Sequence, residues 1–247
     1  LRAREGPAVS SIRYCGRDFS PYVQAELADP GAHVVAPRSL AVPGRPGAAL
    51  LGGEVEPRVL AVRLFWDGGL GLGDAGRAEV RRRLRSWLLA PAGGELTVPG
   101  DPEVTYRDAV CTGCGDWSSL FEDGSCEVEF TCFDPIGYGC LVETGETPVD
   151  VGGTWRTWPV VRMVALAGGS VEVIDAEGGR SVRVERGFRA GDVVELDFLA
   201  ETARVNGEDA SADVTLASDF FALEPGVRAL HFSGCSSHVV SFYERWA

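Results

Sequence analysis

This chain of 247 residues contains no lysine, and all 23 of its basic residues are arginine. Acidic residues number 36, so the formal net charge is −13 at pH 7. A chain of this sign is repelled by nucleic acid and by anionic lipid, so neither is expected to bind it spontaneously. The exclusive use of arginine, with abundant alanine and glycine, is typical of a GC-rich genome and does not bear on function.

Long apolar runs are also lacking, and so is a leader-like pattern in the first residues of the sequence. The sequence has no stretch of about 18 apolar residues, which a membrane-spanning helix requires, so we expect no membrane insertion. It does not open with a basic segment followed by an apolar one. We therefore expect the protein to be made and assembled in the cytoplasm of the producing cell.

Histidine, a common general base in catalysis, occurs only at His33, His231 and His238. Ser236 or Cys235 beside His238 resembles a nucleophile with its base. However, the sequence has no Gly-x-Ser-x-Gly turn around them and no evident carboxylate to orient the histidine. We therefore assign no catalytic residue and no cofactor, and we expect a protein that is not an enzyme.

The seven cysteines suggest a metal or redox interpretation. Cys111 and Cys114 have the spacing of half a zinc ribbon, whose second pair should follow about 15 to 20 residues later. The next cysteines, Cys126 and Cys132, are spaced too widely and share the apolar side of a strand. Buried reduced thiols explain the pattern better than zinc or a redox pair, so we assign no metal ligand.

Short strands separated by turn signals fill the second half of the chain. Alternating apolar residues mark them, and Asn206-Gly207 is a typical hairpin turn. The composition loosens over residues 143–153, and we place a domain boundary near Thr147. Six or seven strands at this spacing predict a β-sandwich of about 100 residues. The predicted strands are 160–165, 170–175, 181–186, 193–199, 203–205, 229–233 and 239–244.

Residues 1–146 also have β character, and they contain one helix. The turn-rich stretch 40–47 leads into a strand pair, and further strands are predicted at 59–66, 95–98, 104–111 and 126–133. We predict the helix over residues 75–90, with Asp74 as its N-cap and with Pro91 and Gly93-Gly94 at its end. Its apolar side comprises Ala78, Val80, Leu84, Trp87 and Leu88.

A run of arginines occupies the rest of this helix, namely Arg81, Arg82, Arg83 and Arg85. Such a run could contact phosphate. In an acidic chain it is more often a solvated helix face or one half of a set of salt bridges between subunits.

Aromatic residues of the second domain raise a carbohydrate-binding alternative, because β-sandwiches often bind sugars on exposed aromatic platforms. Core packing is the better expectation for most of them, since Phe220 and Phe221 precede a Pro-Gly turn. The available aromatic residues are Trp155, Trp158, Phe188, Phe220, Phe221, Tyr243 and Trp246.

An ordered series of motifs along the chain resembles a known family. The motifs lie at residues 42–47, 85–89, 95–98, 101–106, 130–138, 153–159, 191–197, 205–207, 218–226 and 243–246. Together they resemble the distal tail proteins of bacteriophages with long non-contractile tails and of related prophages. The chain resembles the minimal form, without the inserted sugar-binding modules of larger members. Its cysteine content departs from the family, and residues 111–124 are the expected place for a local elaboration.

The resemblance implies a mainly β protein with two domains. Residues 1–146 would form a β domain that carries the helix and assembles into a hexameric ring, and residues 147–247 would form a galectin-like β-sandwich. The implied function is that of a structural virion protein, a hub at the distal end of the phage tail. It would join the tail tube to tip or baseplate proteins and to receptor-binding proteins.

The resemblance also implies a central channel through which DNA passes. An acidic composition fits a channel to which DNA does not bind. A carbohydrate-binding or host-adhesion module is the alternative function.

Overall fold

A computed structural model describes residues 11–66, 70–116, 120 and 122–247. The chain divides into two units, Leu1–Gly137 and Tyr138–Ala247. The described residues contain one α-helix and many strands, so the prediction of a mainly β chain is confirmed. Part of the predicted elaboration at residues 111–124 lies outside the described residues, and the predicted boundary near Thr147 falls within the second unit.

The first unit has nine strands and one helix among its described residues. They are β1 (Arg13–Tyr14), β2 (Arg17–Asp18), β3 (Val23–Asp29), β4 (Val35–Ala41), β5 (Ala48–Val55), β6 (Arg58–Trp66), α1 (Asp74–Leu88), β7 (Gly94–Thr97), β8 (Thr105–Cys114) and β9 (Ser125–Cys132).

Seven of these strands form one antiparallel sheet, in the order β3-β6-β9-β8-β7-β1-β2. The alternation predicted around residues 126–133 is confirmed, because Cys126, Val128, Phe130 and Cys132 are all buried. Val62 of β6 lies opposite Val128 of β9 in the register. The apolar sides of neighbouring strands therefore coincide and form the core of this unit.

Helix α1 packs its apolar side against that core. Val80, Leu84 and Leu88 are buried, and the Trp87 ring meets the Phe19 ring edge to face at 5.2 Å. The predicted N-cap was wrong. Gly73 occupies the cap position with an extended backbone, and Asp74 is the first helical residue. The negative charge of Asp74 in the first turn still suits the positive end of the helix dipole.

The second unit contains the remaining strands. They are β10 (Gly137–Thr144), β11 (Val149–Val151), β12 (Val160–Ala165), β13 (Gly168–Asp175), β14 (Arg180–Phe188), β15 (Val193–Asp197), β16 (Thr202–Val205), β17 (Glu208–Asp209), β18 (Gly226–Arg228), β19 (Leu230–Ser233) and β20 (Cys235–Trp246).

Two layers of antiparallel strands form the predicted β-sandwich. One layer has the order β17-β16-β15-β12-β20-β10, and the other has the order β14-β13-β19, with a separate β11-β18 pair. Side chains from both layers fill one core, including Val161, Val173, Val184, Leu196 and Val240. The Asn206-Gly207 turn is confirmed between β16 and β17, and both of its residues have positive φ.

Regular strands extend into residues 143–153, where the composition loosens. β10 extends to Thr144, and β11 contributes two buried valines, Val149 and Val151. β10 was missed because most of its residues are half-buried or exposed and it lacks an apolar alternation. β11 was missed because three residues are too few to show a period.

The aromatic residues before the Pro-Gly turn pack against the core of the sandwich and stabilise it. Phe221 is 1% exposed and meets Phe198 edge to face at 4.8 Å, while the half-buried Phe220 meets the same ring at 5.4 Å. The Arg180 guanidinium lies 5.0 Å from the centre of the Phe221 ring and donates a hydrogen bond of 3.0 Å to Asp175. The predicted inward packing of one phenylalanine is therefore confirmed.

Candidate interaction surfaces

The nucleophile and base suggested by the sequence do not come together. The Ser236 hydroxyl donates to the carbonyl oxygen of Val164 at 3.2 Å rather than to a histidine. The His238 ring stacks on Phe232, with 3.8 Å between the ring centres. Burial raises the pKa of the Cys235 thiol, which disfavours its reactive thiolate form. These contacts give His238 a packing role and leave Ser236 with no base.

The cysteines of the first unit occupy two environments. Cys126 and Cys132 are buried, and burial raises the pKa of each thiol to about 12. The Sγ atoms of Cys111 and Cys114 lie 3.3 Å apart at the end of β8. Burial and the neighbouring Cys114 raise the pKa of Cys111 to about 12 as well. The predicted buried thiols are thus confirmed at Cys126 and Cys132, whereas Cys114 is exposed.

Most aromatic residues suggested for a sugar platform are packed inside the second unit. Phe188 and Phe221 are buried, and Trp158 and Phe220 pack against the core. Of the seven residues named, only Trp246 is largely exposed. The core packing predicted for most of this set is confirmed, and these residues do not form an exposed platform.

Charged side chains on the outer face of the larger layer form pairs of opposite charge across neighbouring strands. Arg162 of β12 lies opposite Glu195 of β15 in the register, and Glu195 lies opposite Arg204 of β16. The Arg162 guanidinium donates to Glu195 at 2.7 Å, and this contact raises the pKa of Arg162. Cross-strand pairs of opposite charge stabilise a sheet and its register. A structural role therefore explains this polar face.

The β4-β5 hairpin is the most apolar exposed surface of the first unit. These two strands pair with each other and with no other described strand. Leu50 is 72% exposed, Leu51 is 66% exposed, and Val35 and Leu40 are more than half exposed. A two-stranded hairpin is only marginally stable in water. The apolar side chains of this one would gain stability from a covering surface.

The base of the hairpin is fixed by an arginine at the start of β6. Arg58 donates to the carbonyl oxygen of Pro30 at 2.7 Å and to the Tyr106 hydroxyl at 3.2 Å. The His33 ring lies beside the guanidinium, and its Nε2 is 3.2 Å from the carbonyl oxygen of Pro135. Chain segments on both sides of the hairpin are thus tied to the first sheet.

Sequence reasoning located the turn of this hairpin but not the importance of its surface. The stretch 40–47 was predicted to precede a strand pair, and residues 42–47 do connect β4 to β5. The available signal was the consecutive Leu50-Leu51 in a stretch rich in glycine and proline. Such a pair cannot face one side of a strand, so at least one leucine must be exposed or contacted from outside.

The arginines of α1 lie at the surface, as predicted. Arg83 donates to the Tyr22 hydroxyl at 2.6 Å and to Glu79 at 3.1 Å. Arg81, Arg82 and Arg85 instead line an open groove of about 690 Å³. Its other lining residues are Leu88, Leu89, Cys111, Cys114, Gly115 and Asp116.

Comparison with known proteins agrees with the motif order. The family model described as siphovirus-type tail component, C-terminal domain, matches residues 152–246. The distal tail protein of Bacillus phage SPP1 is 27% identical over 232 residues, which cover 89% of each protein. The crystal structure of the SPP1 Dit protein aligns with a TM-score of 0.73 and 21% identity, over 96% of this chain and 99% of that one. The resemblance to siphovirus distal tail proteins is thereby confirmed, and it includes a match of residues 152–246 to the C-terminal domain of the siphovirus-type tail component.

Proposed function

We propose that this protein is a structural hub at the distal end of a long non-contractile phage tail. It assembles in the host cytoplasm into a hexameric ring through its first domain, and its β-sandwich domain remains available for other tail proteins. The relative from phage SPP1 is a distal tail protein, and its crystal structure is described as a hub of the adsorption apparatus. The similarity in fold over nearly the whole chain supports the same role here.

The observation that carries the ring proposal is the exposed hairpin. Its leucines have no covering partner among the described residues, although a two-stranded hairpin needs one to be stable. A second copy of the chain is the partner always present at the same concentration. Repetition of one such head-to-tail contact from copy to copy gives a closed ring when the rotation between neighbours closes, which is the geometry proposed here.

Other tail proteins as partners and a channel for DNA complete the proposed hub. The ring joins the tail tube to tip or baseplate proteins and to receptor-binding proteins, and DNA passes through its channel. The net charge of −13 supports a channel wall to which DNA does not adhere. No sugar-binding role is proposed, because the candidate aromatic residues serve mainly as packing.

The mass of the assembly tests this function. Mass photometry and negative-stain imaging of the purified chain should reveal rings of about six 26.3 kDa subunits with a central opening. A glycan panel examined in parallel should give no binding. A protein that stays monomeric and binds a glycan would replace the hub with the carbohydrate-binding alternative.

A further inference from the structure

The groove beside α1 concentrates positive charge in an otherwise acidic molecule. Arg82 and Arg85 are exposed, and neither side chain forms a hydrogen bond or ion pair with another described residue. Several other arginines of the first unit have partners within the chain. Arg38 pairs with Glu54, Arg63 pairs with Glu127, and Arg58 holds the base of the hairpin.

The walls of the groove favour a protein partner over a mineral anion or a nucleic acid. Leu89 is 78% exposed beside the arginines, and Leu88 also lines the groove. Arginine beside apolar surface is a composition enriched at protein interfaces. Asp116 also lines the groove, so its positive charge is confined to a short stretch, which suits a segment with a few carboxylates better than a continuous phosphate backbone. A protein segment that carries both carboxylates and apolar groups fits this surface best.

The net charge of the chain favours a second copy of the same chain as the partner protein. Copies that each carry a charge of −13 repel one another on approach, so locally complementary charge at their contact surfaces favours assembly. The unpaired arginines supply the positive half of such a contact. The excess of acidic residues supplies the negative half on any neighbouring copy.

We propose that the groove formed by Arg82, Arg85, Leu89 and Cys114 is a docking site for an acidic segment of a second copy of this chain. This inference rests on the proposed ring. It assigns an electrostatic contact at α1 in addition to the apolar contact at the hairpin.

The experiment compares the full-length wild-type chain with Arg82→Glu/Arg85→Glu by sedimentation velocity over a concentration series at low salt. The matched control is Arg156→Glu/Arg189→Glu, which makes the same change in charge at two exposed arginines of the second unit. Arg82→Lys/Arg85→Lys keeps the charge. Thermal unfolding and circular dichroism establish that each variant is folded.

Cys114 gives a local readout, because its exposed thiol lines the groove. The rate of its alkylation by iodoacetamide is followed by peptide mass spectrometry at concentrations below and above the association range. Occupation of the groove should slow this alkylation in the wild type and not in Arg82→Glu/Arg85→Glu. A parallel sample contains a 20-base-pair DNA duplex as the competing polyanion.

The glutamate variant should associate about tenfold more weakly or worse, while the control stays within about twofold and the lysine variant keeps most of the affinity. The inference is overturned if the glutamate variant associates like the wild type, or if association leaves Cys114 alkylation unchanged. Protection of Cys114 by the duplex but not by a second copy also overturns it. A wild-type chain that never associates removes the ring proposal together with this contact, whereas the preceding outcomes remove the contact alone.

Discussion

Replacement of Leu50 and Leu51 by glutamate should prevent ring formation. Full burial of a leucine side chain contributes about 2 kcal/mol. Since about 70% of each side chain is exposed in the single chain, a covering partner has about 1.4 kcal/mol to gain per leucine. A contact that covers both leucines therefore gains about 3 kcal/mol, which corresponds to about a hundredfold in the dissociation constant.

Mass photometry and sedimentation velocity would measure this loss directly. The matched control is Leu199→Glu/Leu216→Glu, which introduces the same charges at leucines that are 66% and 106% exposed in the second unit. The hairpin variant should remain a folded monomer at concentrations where the control still assembles. Rings of unchanged mass and affinity in the hairpin variant would refute the role given to the hairpin.

Three further predictions concern stability. Phe221→Ala should destabilise the second unit by about 3–5 kcal/mol and Phe220→Ala by less, as measured by hydrogen exchange; equal losses would contradict the assigned burial. Gly31→Ala should lower Tm more than Gly16→Ala, because both glycines have positive φ but only an added Cβ at Gly31 would lie 2.1 Å from the Val59 carbonyl oxygen. Equal shifts in Tm would exclude that clash. Burial opposes ionisation of Asp175, but hydrogen bonds from Gly178, Arg180 and Glu177 outweigh it and lower the pKa. The stabilisation is therefore present above about pH 4 and is lost in stronger acid, so the Tm difference between wild type and Asp175→Asn should shrink as the pH falls. A pH-independent difference would argue against this linkage.

The sequence was most informative where one side of a strand is buried. β9 and β12 to β16 alternate apolar and polar residues, because one side of each faces a core and the other faces solvent. Their approximate positions could therefore be predicted from period alone. β10 lacks this contrast, and its pairing with β20 depends on backbone hydrogen bonds that leave no mark on the residue pattern.

The interaction surfaces were harder to predict than the core. The run at Arg81 to Arg85 was expected at the surface, but the sequence did not separate Arg83, which contacts Tyr22 and Glu79, from Arg82 and Arg85. That distinction depends on Tyr22 and Glu79, which lie 61 and four positions before Arg83 in the sequence and contact it in the folded chain. The N-cap error at Asp74 has a similar origin, since backbone geometry placed Gly73 at the cap despite the better capping side chain beside it.

The contacts of Arg58 determine how the hairpin can act during assembly. Because the guanidinium joins Pro30 to Tyr106, the direction in which the hairpin leaves the sheet is set as the first unit folds. An arm that becomes ordered only on contact loses conformational entropy at that moment, which weakens the contact. A hairpin that is already oriented avoids this loss. It also presents its leucines at one angle in every copy, and a constant angle between neighbours is one requirement for a closed ring of fixed size.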